Sequence, residues 1–430
     1  MKLAEIFERF VDPSAPIAFR AYDGSTAGPP DAHVVLEVRS PVALRYVATA
    51  PGELGLTRAY VTGGIEVQGD LHEFFRAVMP NLRGDASRAE QLGILRELLR
   101  QEGPGLLRRP PLPPEEAPPP WRRGVRHSKR RDAAAIAHHY DVSNRFYELL
   151  LGPSMVYSCA VFPAPDATLE EAQREKLDLV CRKLDLQPGQ RLLDVGAGWG
   201  ALVRHAAENY GVRALGVTLS RQQAEWAARV IEDSGLTARA EVRFLDYRDL
   251  RVPRFDAISS VGVMEHIGSA ELGDHFSSLA AMLRPEGRML NHTITRSSNQ
   301  TGNRTGKLID RYVFPDGELQ GPGTVMGAMH DNGLEVRHAE NLREHYAMTL
   351  REWGRNLERN WAEAVAEAGE RRARVWRLYM AESRMAFELD DVEIHQFLGV
   401  RTGADGQSGM PLRPDWMDER EKAGAQLIRT

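Results

Sequence analysis

A ten-residue stretch, Arg191 to Gly200 (RLLDVGAGWG), constrains this chain more than any other. Arg191 to Asp194 suits a buried parallel strand, and Gly196, Gly198 and Gly200 then clear space around a tight turn. Without Cβ atoms the backbone can approach a ligand closely, and the following helix offers free N–H groups. Taken alone, such a glycine pattern also suits a strand-to-helix turn that binds nothing. Dinucleotide sites follow the next strand with an acid about 20 residues on. Here the strand Arg213–Val217 runs into Thr218-Leu219-Ser220-Arg221-Gln222-Gln223, with no acid at its tip, which argues against a nicotinamide dinucleotide. The Gln223 amide suits a ribose. Ser220 and Gln223 also have capping-box spacing and can start a helix, and the two readings are compatible.

With 430 residues the chain can bury a large core, and two domains are expected. The charge of −5, from 55 basic and 60 acidic residues, gives no global attraction to nucleic acid, so any basic patch is local. Cys159 and Cys181 are the only cysteines, too few for a disulfide framework or a zinc cluster, and no metal site is expected. The chain shows no signal-like N-terminus and no 18-residue apolar run. The expected location is cytoplasmic unless the protein adheres to a membrane by its surface.

Residues 1–105 read as an accessory α+β domain, with strands near 33–38 and 62–67 and helices near 71–78 and 90–99. Residues 106–131 read as a linker. Its run Pro110 to Pro120 cannot join a helix or sheet interior, and Trp121 to Arg131 carries six fixed positive charges. That segment suits docking on anionic lipid, at about 1 kcal/mol per basic residue, or a solvated linker. Residues 132–430 form the second domain, with strands near 191–195, 213–217, 242–245, 256–260, 288–294, 333–338 and 392–399. Alternating helical segments give the rhythm of an open, mainly parallel sheet, and long helices at 349–367 and 371–387 fill the space between.

Seven segments in series carry a resemblance. They are His139-Tyr140-Asp141-Val142-Ser143-Asn144; Met155 to Phe162; Asp194 to Gly200; Gly216-Val217-Thr218-Leu219-Ser220; Met264-Glu265-His266-Ile267-Gly268; His292-Thr293-Ile294; and His345 to Leu350. From about 138 to 400 the chain resembles the cyclopropane-fatty-acyl-phospholipid synthase family, which includes mycolic-acid cyclopropane synthases and fatty-acid C-methyltransferases. The resemblance implies an α/β fold: a Rossmann-like class I methyltransferase domain with a mainly parallel seven-stranded sheet, beside a smaller α+β N-terminal domain. It implies S-adenosyl-L-methionine as methyl donor, with Tyr157, Ser158, Gly196, Gly198, Trp199, Gly200, Thr218, Leu219, Gln223, Asp246 and Tyr247 lining its pocket. It also implies a bound bicarbonate as base, held by Cys159, Glu265, His292, the backbone of Ile294, and Tyr346. No role is assigned to His266.

Each of these residues has a plainer reading as well. Cys159 suits a small buried hydrophobe, Glu265 and His266 a helix cap, His292 a satisfied core histidine, and Tyr346 packing. Two positions depart from the family pattern: Ala197 and Ser383 stand where cysteine is common, so no covalent thiol chemistry is expected at 383. Trp353, Trp361, Trp376 and Tyr379 have helical spacing and suit a core or the wall of an acyl tunnel.

The implied reaction is methyl transfer to the cis double bond of an oleoyl-type chain in a phospholipid at a membrane surface, on the inner face of the cytoplasmic membrane. Composition and the segment Glu53 to Tyr60 look more like members that form a methylene branch than a cyclopropane ring. A separate reductase would finish a methylene product, and a homodimer is expected from the family. The competing readings are ring formation on the same lipid, a methyltransferase for a soluble small molecule, and a cofactor-binding scaffold without turnover.

Overall fold

A computed structural model describes residues 1–83, 88–118, 131, 142–251, 254–300, 302 and 305–416, with no side-chain description for 88–91. The motif residues His139, Tyr140 and Asp141 and the basic run 121–130 lie outside the described residues. The chain divides into two compact units. One comprises Met1–Leu150, Arg304–Gly317 and Leu350–Leu389, and the other Leu151–Asn303, Glu318–Thr349 and Asp390–Thr430. The expected scheme of 1–105, a linker and 132–430 is linear, whereas these units are discontinuous.

The first unit opens with α1 (Leu3–Phe10), β1 (Ile17–Ala21), β2 (Thr26–Ala27), β3 (Val34–Val38), α2 (Pro41–Thr49), α3 (Glu53–Val61), β4 (Ile65–Gln68), α4 (Leu71–Val78) and α5 (Arg88–Glu102), and takes in most of α6 (Asn144–Leu151). Its four-stranded sheet has the order β2-β1-β3-β4. Local chemistry sets several boundaries. Pro41 opens α2 with its φ already helical, and the Asp70 side chain caps α4 by accepting from the Glu73 amide. Helices α2 and α3 fall where the sequence reading has no helix. Each has only nine residues, and they bury mainly small side chains such as Ala43, Gly55, Thr57 and Ala59.

The other unit is built on an open sheet. It contains α7 (Leu169–Leu184), β5 (Arg191–Val195), α8 (Ala201–Asn209), β6 (Arg213–Thr218), α9 (Arg221–Asp233), β7 (Ala240–Phe244), β8 (Phe255–Val261), α10 (Leu272–Met282), β9 (Leu283–Arg296), α11 (Pro322–Asp331), β10 (Glu335–Asn341), the first part of α12 (Arg343–Arg359), and β11 (Val392–Val400). The seven-stranded order is β10-β11-β9-β8-β5-β6-β7, parallel from β9 to β7, with β11 antiparallel to both neighbours. Both faces are buried, so adjacent strand residues enter different cores. Leu192, Ala257, Leu290 and Leu398 meet α7, α8 and α9. Leu193, Ile258, Met289 and Phe397 meet α10 and α11. The chain proceeds from β5 outward to β6 and β7, then returns to place β8 on the other side of β5. That reversal opens a crevice at the carboxyl ends of β5 and β8, where open α/β sheets take ligands.

Two further helices, α13 (Trp361–Ala368) and α14 (Glu370–Glu388), belong to the first unit rather than filling space beside the seven-stranded sheet. The Arg374 guanidinium explains the pairing. It donates to the Tyr60 carbonyl at 2.8 Å, the Ile65 carbonyl at 3.0 Å and the Glu66 carboxylate at 2.6 Å. Trp376 adds ring contacts to Phe146, Tyr147 and Tyr379, with centroids 5.6, 5.5 and 5.8 Å away.

The described part of the Pro-rich stretch is bound to this unit and does not act as a free linker. Tyr46 Oη donates to the Pro111 carbonyl at 2.7 Å, and the Arg45 guanidinium donates to the Arg108 carbonyl at 3.0 and 2.9 Å. Prolines lack N–H groups, yet their carbonyls still accept. The Glu116 side chain is fully buried, gripped at 2.7 and 2.8 Å by both arms of Arg58 and paired with Arg311. Tyr312 Oη donates to it at 3.1 Å. Arg131, read above as part of a lipid-docking run, instead forms a two-armed pair with Asp316 at 2.6 Å.

Removing one partner of a buried ion pair strands the other charge. Glu116→Ala is therefore expected to lower the unfolding free energy by about 3–5 kcal/mol in urea denaturation. A change no larger than a surface substitution gives, about 0.5 kcal/mol, would count against the assignment.

Candidate active site

The glycine turn sits at the crevice. Gly196, Gly198 and Gly200 have φ of +75°, +54° and +79°, a region that penalises L side chains. A Cβ on Gly196 would lie 2.3 Å from Val263 Cγ2, so the turn after β5 needs glycine to pass the exit of β8. Beside Gly198 a Cβ would meet nothing within 4 Å, which leaves open space over the turn. Trp199 is buried, and Gly200 caps α8. The Ala197 side chain is directed at Gly216, where an added Cβ would come within 2.6 Å of it.

At the next strand tip, Ser220 caps α9 by accepting from the Gln223 amide at 3.3 Å. The Gln223 side chain does not complete the capping box. Its Oε1 accepts from Thr218 Oγ1 at 2.7 Å, and Thr218 Oγ1 accepts from the Ser220 amide at 3.2 Å. Both side chains are thus fixed at the end of β6, with Leu219 half-buried between them. After β7, Asp246 is ion-paired with Arg248 at 2.7 Å, and Tyr247 Oη lies 2.7 Å from His275 Nδ1. The Tyr247 hydroxyl is therefore occupied by a core histidine.

Residues 155–162 are pinned between α7 and α12. From α7, Gln173 Nε2 donates to the Ser158 carbonyl at 2.9 Å, and Lys176 Nζ donates to Ser158 Oγ at 2.9 Å. From the other side, Thr349 Oγ1 accepts from the Ala160 amide and His345 Nδ1 from the Phe162 amide, each at 3.0 Å. Tyr157 is half-buried in this segment. Cys159 is fully buried, its Sγ 3.1 Å from the Ala160 carbonyl and 3.8 Å from that of Leu342, and burial pushes its thiol pKa up. A neutral thiol of this kind is no nucleophile.

Short bonds tie Cys159 to the other candidate residues. The Leu342 carbonyl accepts from the amide of Tyr346, a buried residue in the first turn of α12. The Leu342 amide donates to the Ile394 carbonyl at 2.8 Å, and Ile394 pairs with Ile294 across β11 and β9. The Ile294 amide donates to Glu265 Oε1 at 2.7 Å. The Glu265 carboxylate thus engages the Ile294 amide. Glu265 lies in a 3₁₀ turn, Met264–His266, and caps no helix; His266 is half-buried there.

Burial raises the Glu265 pKa above 4.5, and the Ile294 amide only partly opposes that rise. His292, two residues before Ile294 on the same face of β9, is driven well below 6.5 by burial, then by Lys176, Lys183 and His395, so its ring is neutral. Glu265 Oε2 and both His292 ring nitrogens are buried with no hydrogen-bond partner among the described residues.

Sequence reasoning missed the polar stripe of α7. Gln173, Lys176 and Lys183 are all buried, and Lys183 donates to Gln396 Oε1 at 2.7 Å and pairs with Glu340. Gln396 faces His292 in the strand register. Lys176 also feels Asp194, which is buried at the end of β5 and accepts from Ser259 Oγ at 2.7 Å. Burial lowers Lys176 to about 8 and raises Asp194 to about 7. The spacing 173, 176, 183 places all three on one helical face, the one available clue.

A family model described as mycolic acid cyclopropane synthetase matches residues 127–397. A Mycobacterium tuberculosis relative named a probable fatty acid methyltransferase is 49% identical over 424 residues, 97% of this chain and 98% of its own length. The cyclopropane-fatty-acyl-phospholipid synthase of Escherichia coli (strain K12) is 34% identical over 279 residues, 64% of this chain and 71% of its own. Among solved structures, mycolic acid cyclopropane synthase CmaA1 complexed with SAH and CTAB matches with a TM-score of 0.59 at 34% identity, covering 62% of this chain and 97% of that one.

Lys176→Met is expected to free the Ser158 hydroxyl and weaken S-adenosylhomocysteine binding about tenfold in titration calorimetry, one charge-assisted hydrogen bond being lost. Because Lys176→Met also leaves Asp194 without its cation, the thermal midpoint should fall as well; an unchanged S-adenosylhomocysteine affinity would count against the assignment. Asp194 supplies a pH signature. Its folded pKa is raised, so its contribution to stability is full below 3.8 and is lost as pH climbs through about 7. Asp194→Asn should flatten that decline in urea unfolding between pH 4 and pH 7, and an unchanged slope would contradict the assignment.

Proposed function

The chain belongs to the mycolic acid cyclopropane synthetase family, and from that premise we propose a specific reaction for this S-adenosylmethionine-dependent fatty acid methyltransferase. It methylates the cis double bond of an oleoyl-type chain in a phospholipid and gives a methylene-branched product. One observation carries the reading: a buried carboxylate oxygen and two imidazole nitrogens, all without partners, at the carboxyl ends of β8 and β9. Buried polar atoms are nearly always satisfied, so this set calls for a small guest able both to accept and to donate.

Bicarbonate fits those atoms. Its O–H matches Glu265 Oε2, and its oxygens match the N–H of neutral His292 and the Tyr346 hydroxyl. When bound, S-adenosylmethionine supplies an electrophilic methyl and bicarbonate supplies the base. The double bond attacks that methyl; a C–C bond forms, the C–S bond breaks, and the neighbouring carbon becomes cationic. A hydride shift brings the charge to the methyl-bearing carbon, and proton loss from the new methyl gives the methylene. Proton loss without the shift would close a ring. The chain's own contribution is electrostatic and steric. His292, held neutral, puts no positive charge near the cation, and its own burial keeps water from the ring.

The full-length similarity to a relative named a probable fatty acid methyltransferase supports a fatty acyl acceptor. The proposal extends to work at the inner face of the cytoplasmic membrane, as a homodimer, with a separate reductase taking the methylene product onward. Among the described residues no helix is long and apolar enough to cross a membrane.

Labelled S-adenosylmethionine and dioleoyl phospholipid, followed by mass spectrometry of the released acids, test the reaction. A methylene acid is expected; a cyclopropane acid would replace the product assignment, and label only on soluble acceptors would overturn the reading. Glu265→Gln should cut kcat at least about 100-fold, as loss of an acid–base group does, with cofactor affinity kept. Loss of both together would make Glu265 a structural residue.

A further inference from the structure

The first unit contains a second cavity, of about 580 Å³, walled by α4, the later part of α12, and α14. Six guanidiniums line it: Arg76, Arg351, Arg355, Arg359, Arg377 and Arg384. The acids in its wall are Asp70, Glu73 and Glu358, and Glu352 and Glu388 pair with wall arginines from outside it, so six guanidiniums face five carboxylates. Four of the arginines are already engaged. Arg351 and Arg355 share Glu352 at 2.9 Å, Arg377 pairs with Glu358, and Arg384 holds Glu388 at 2.8 Å. Arg76 and Arg359 are exposed and have no acidic partner among the described residues. His72, also in the wall, is bonded to Glu388 at 2.9 Å, and burial lowers its pKa, so it adds little charge. Leu350, Leu357 and Met380 form its buried floor.

We infer that this cavity binds the phosphate of a phospholipid headgroup, an inference that rests on the proposed phospholipid substrate. Guanidinium forks match phosphate oxygens in geometry as well as charge. The methylene stems of the exposed arginines Arg76, Arg355 and Arg359 offer apolar surface beside the cations, which suits the glycerol of a lipid headgroup. The volume lies within the range of small-molecule sites. The cavity therefore recognises the diester end of the lipid, and free phosphates share that chemistry without the acyl anchor.

The test compares the full chain with its Arg76→Gln/Arg359→Gln variant on dioleoyl phosphatidylglycerol vesicles by cosedimentation, with glycerol 3-phosphate and a polyglutamate peptide as soluble probes. Both arginines are exposed, and matching thermal midpoints verify the fold. The variant's vesicle partition should fall about 10- to 30-fold, two cationic contacts being lost. Equal partition of the two proteins would overturn the inference. So would stronger competition by polyglutamate than by glycerol 3-phosphate, or binding of glycerol 3-phosphate that the double substitution weakens while vesicle partition is untouched. Wild-type turnover on the same vesicles separates the two readings. A wild type that methylates the lipid while the variant partitions normally removes only the headgroup site, whereas a wild type that leaves the lipid unmodified removes the proposed substrate.

Discussion

The hydrogen bond from the Ile294 amide to Glu265 is the interaction around which the site is arranged. An ionisable carboxyl in the interior is costly unless something fixes it, and here one oxygen is fixed by strand backbone while the other stays available. That division of labour depends on topology. The turn after β8 must bring Glu265 back over β9, and it can do so because Gly196 yields room to Val263 at the neighbouring strand exit. The sheet then works as a rigid frame: His292 and Ile294 share one face, and Leu342 joins β11 to the helix that carries Tyr346.

Beneath that frame runs the polar stripe of α7. Lysines buried among apolar residues are rare, and each of these has a stated task. Lys176 holds the Ser158 hydroxyl and faces Asp194, and Lys183 ties Gln396 to Glu340. Burial keeps His292 neutral, and the charges of Lys176 and Lys183 add to that effect. Gln173 and Lys176, on one face of this helix, also fix the segment expected to contact the cofactor.

The seven strands were legible because both faces are buried, which writes each strand as a short apolar run, and the glycine turn was legible because its φ values exclude other residues. Other features left weaker traces. The stretch EAQREKLDLV reads as a charged, solvated helix, and only the tertiary partners of Gln173 and Lys176 reveal that one side of it is interior. The Pro-rich run reads as a linker because composition cannot show that Glu116 meets Arg58, 58 residues away. Helices α2 and α3 are too short and too rich in small residues for a periodic signal. The discontinuity of the two units is a long-range property that no local pattern encodes.

That discontinuity bears on how the protein is made. The N-terminal part of the first unit leaves the ribosome with Tyr60, Glu66 and Glu116 short of later partners, since Arg311 and Arg374 are still untranslated. At about 5–20 residues per second, the wait for α14 is on the order of tens of seconds. During that interval Glu116 has Arg58 but neither Arg311 nor Tyr312, a form suited to chaperone custody. The other unit, too, closes only with β11, so neither half matures before the chain is nearly complete.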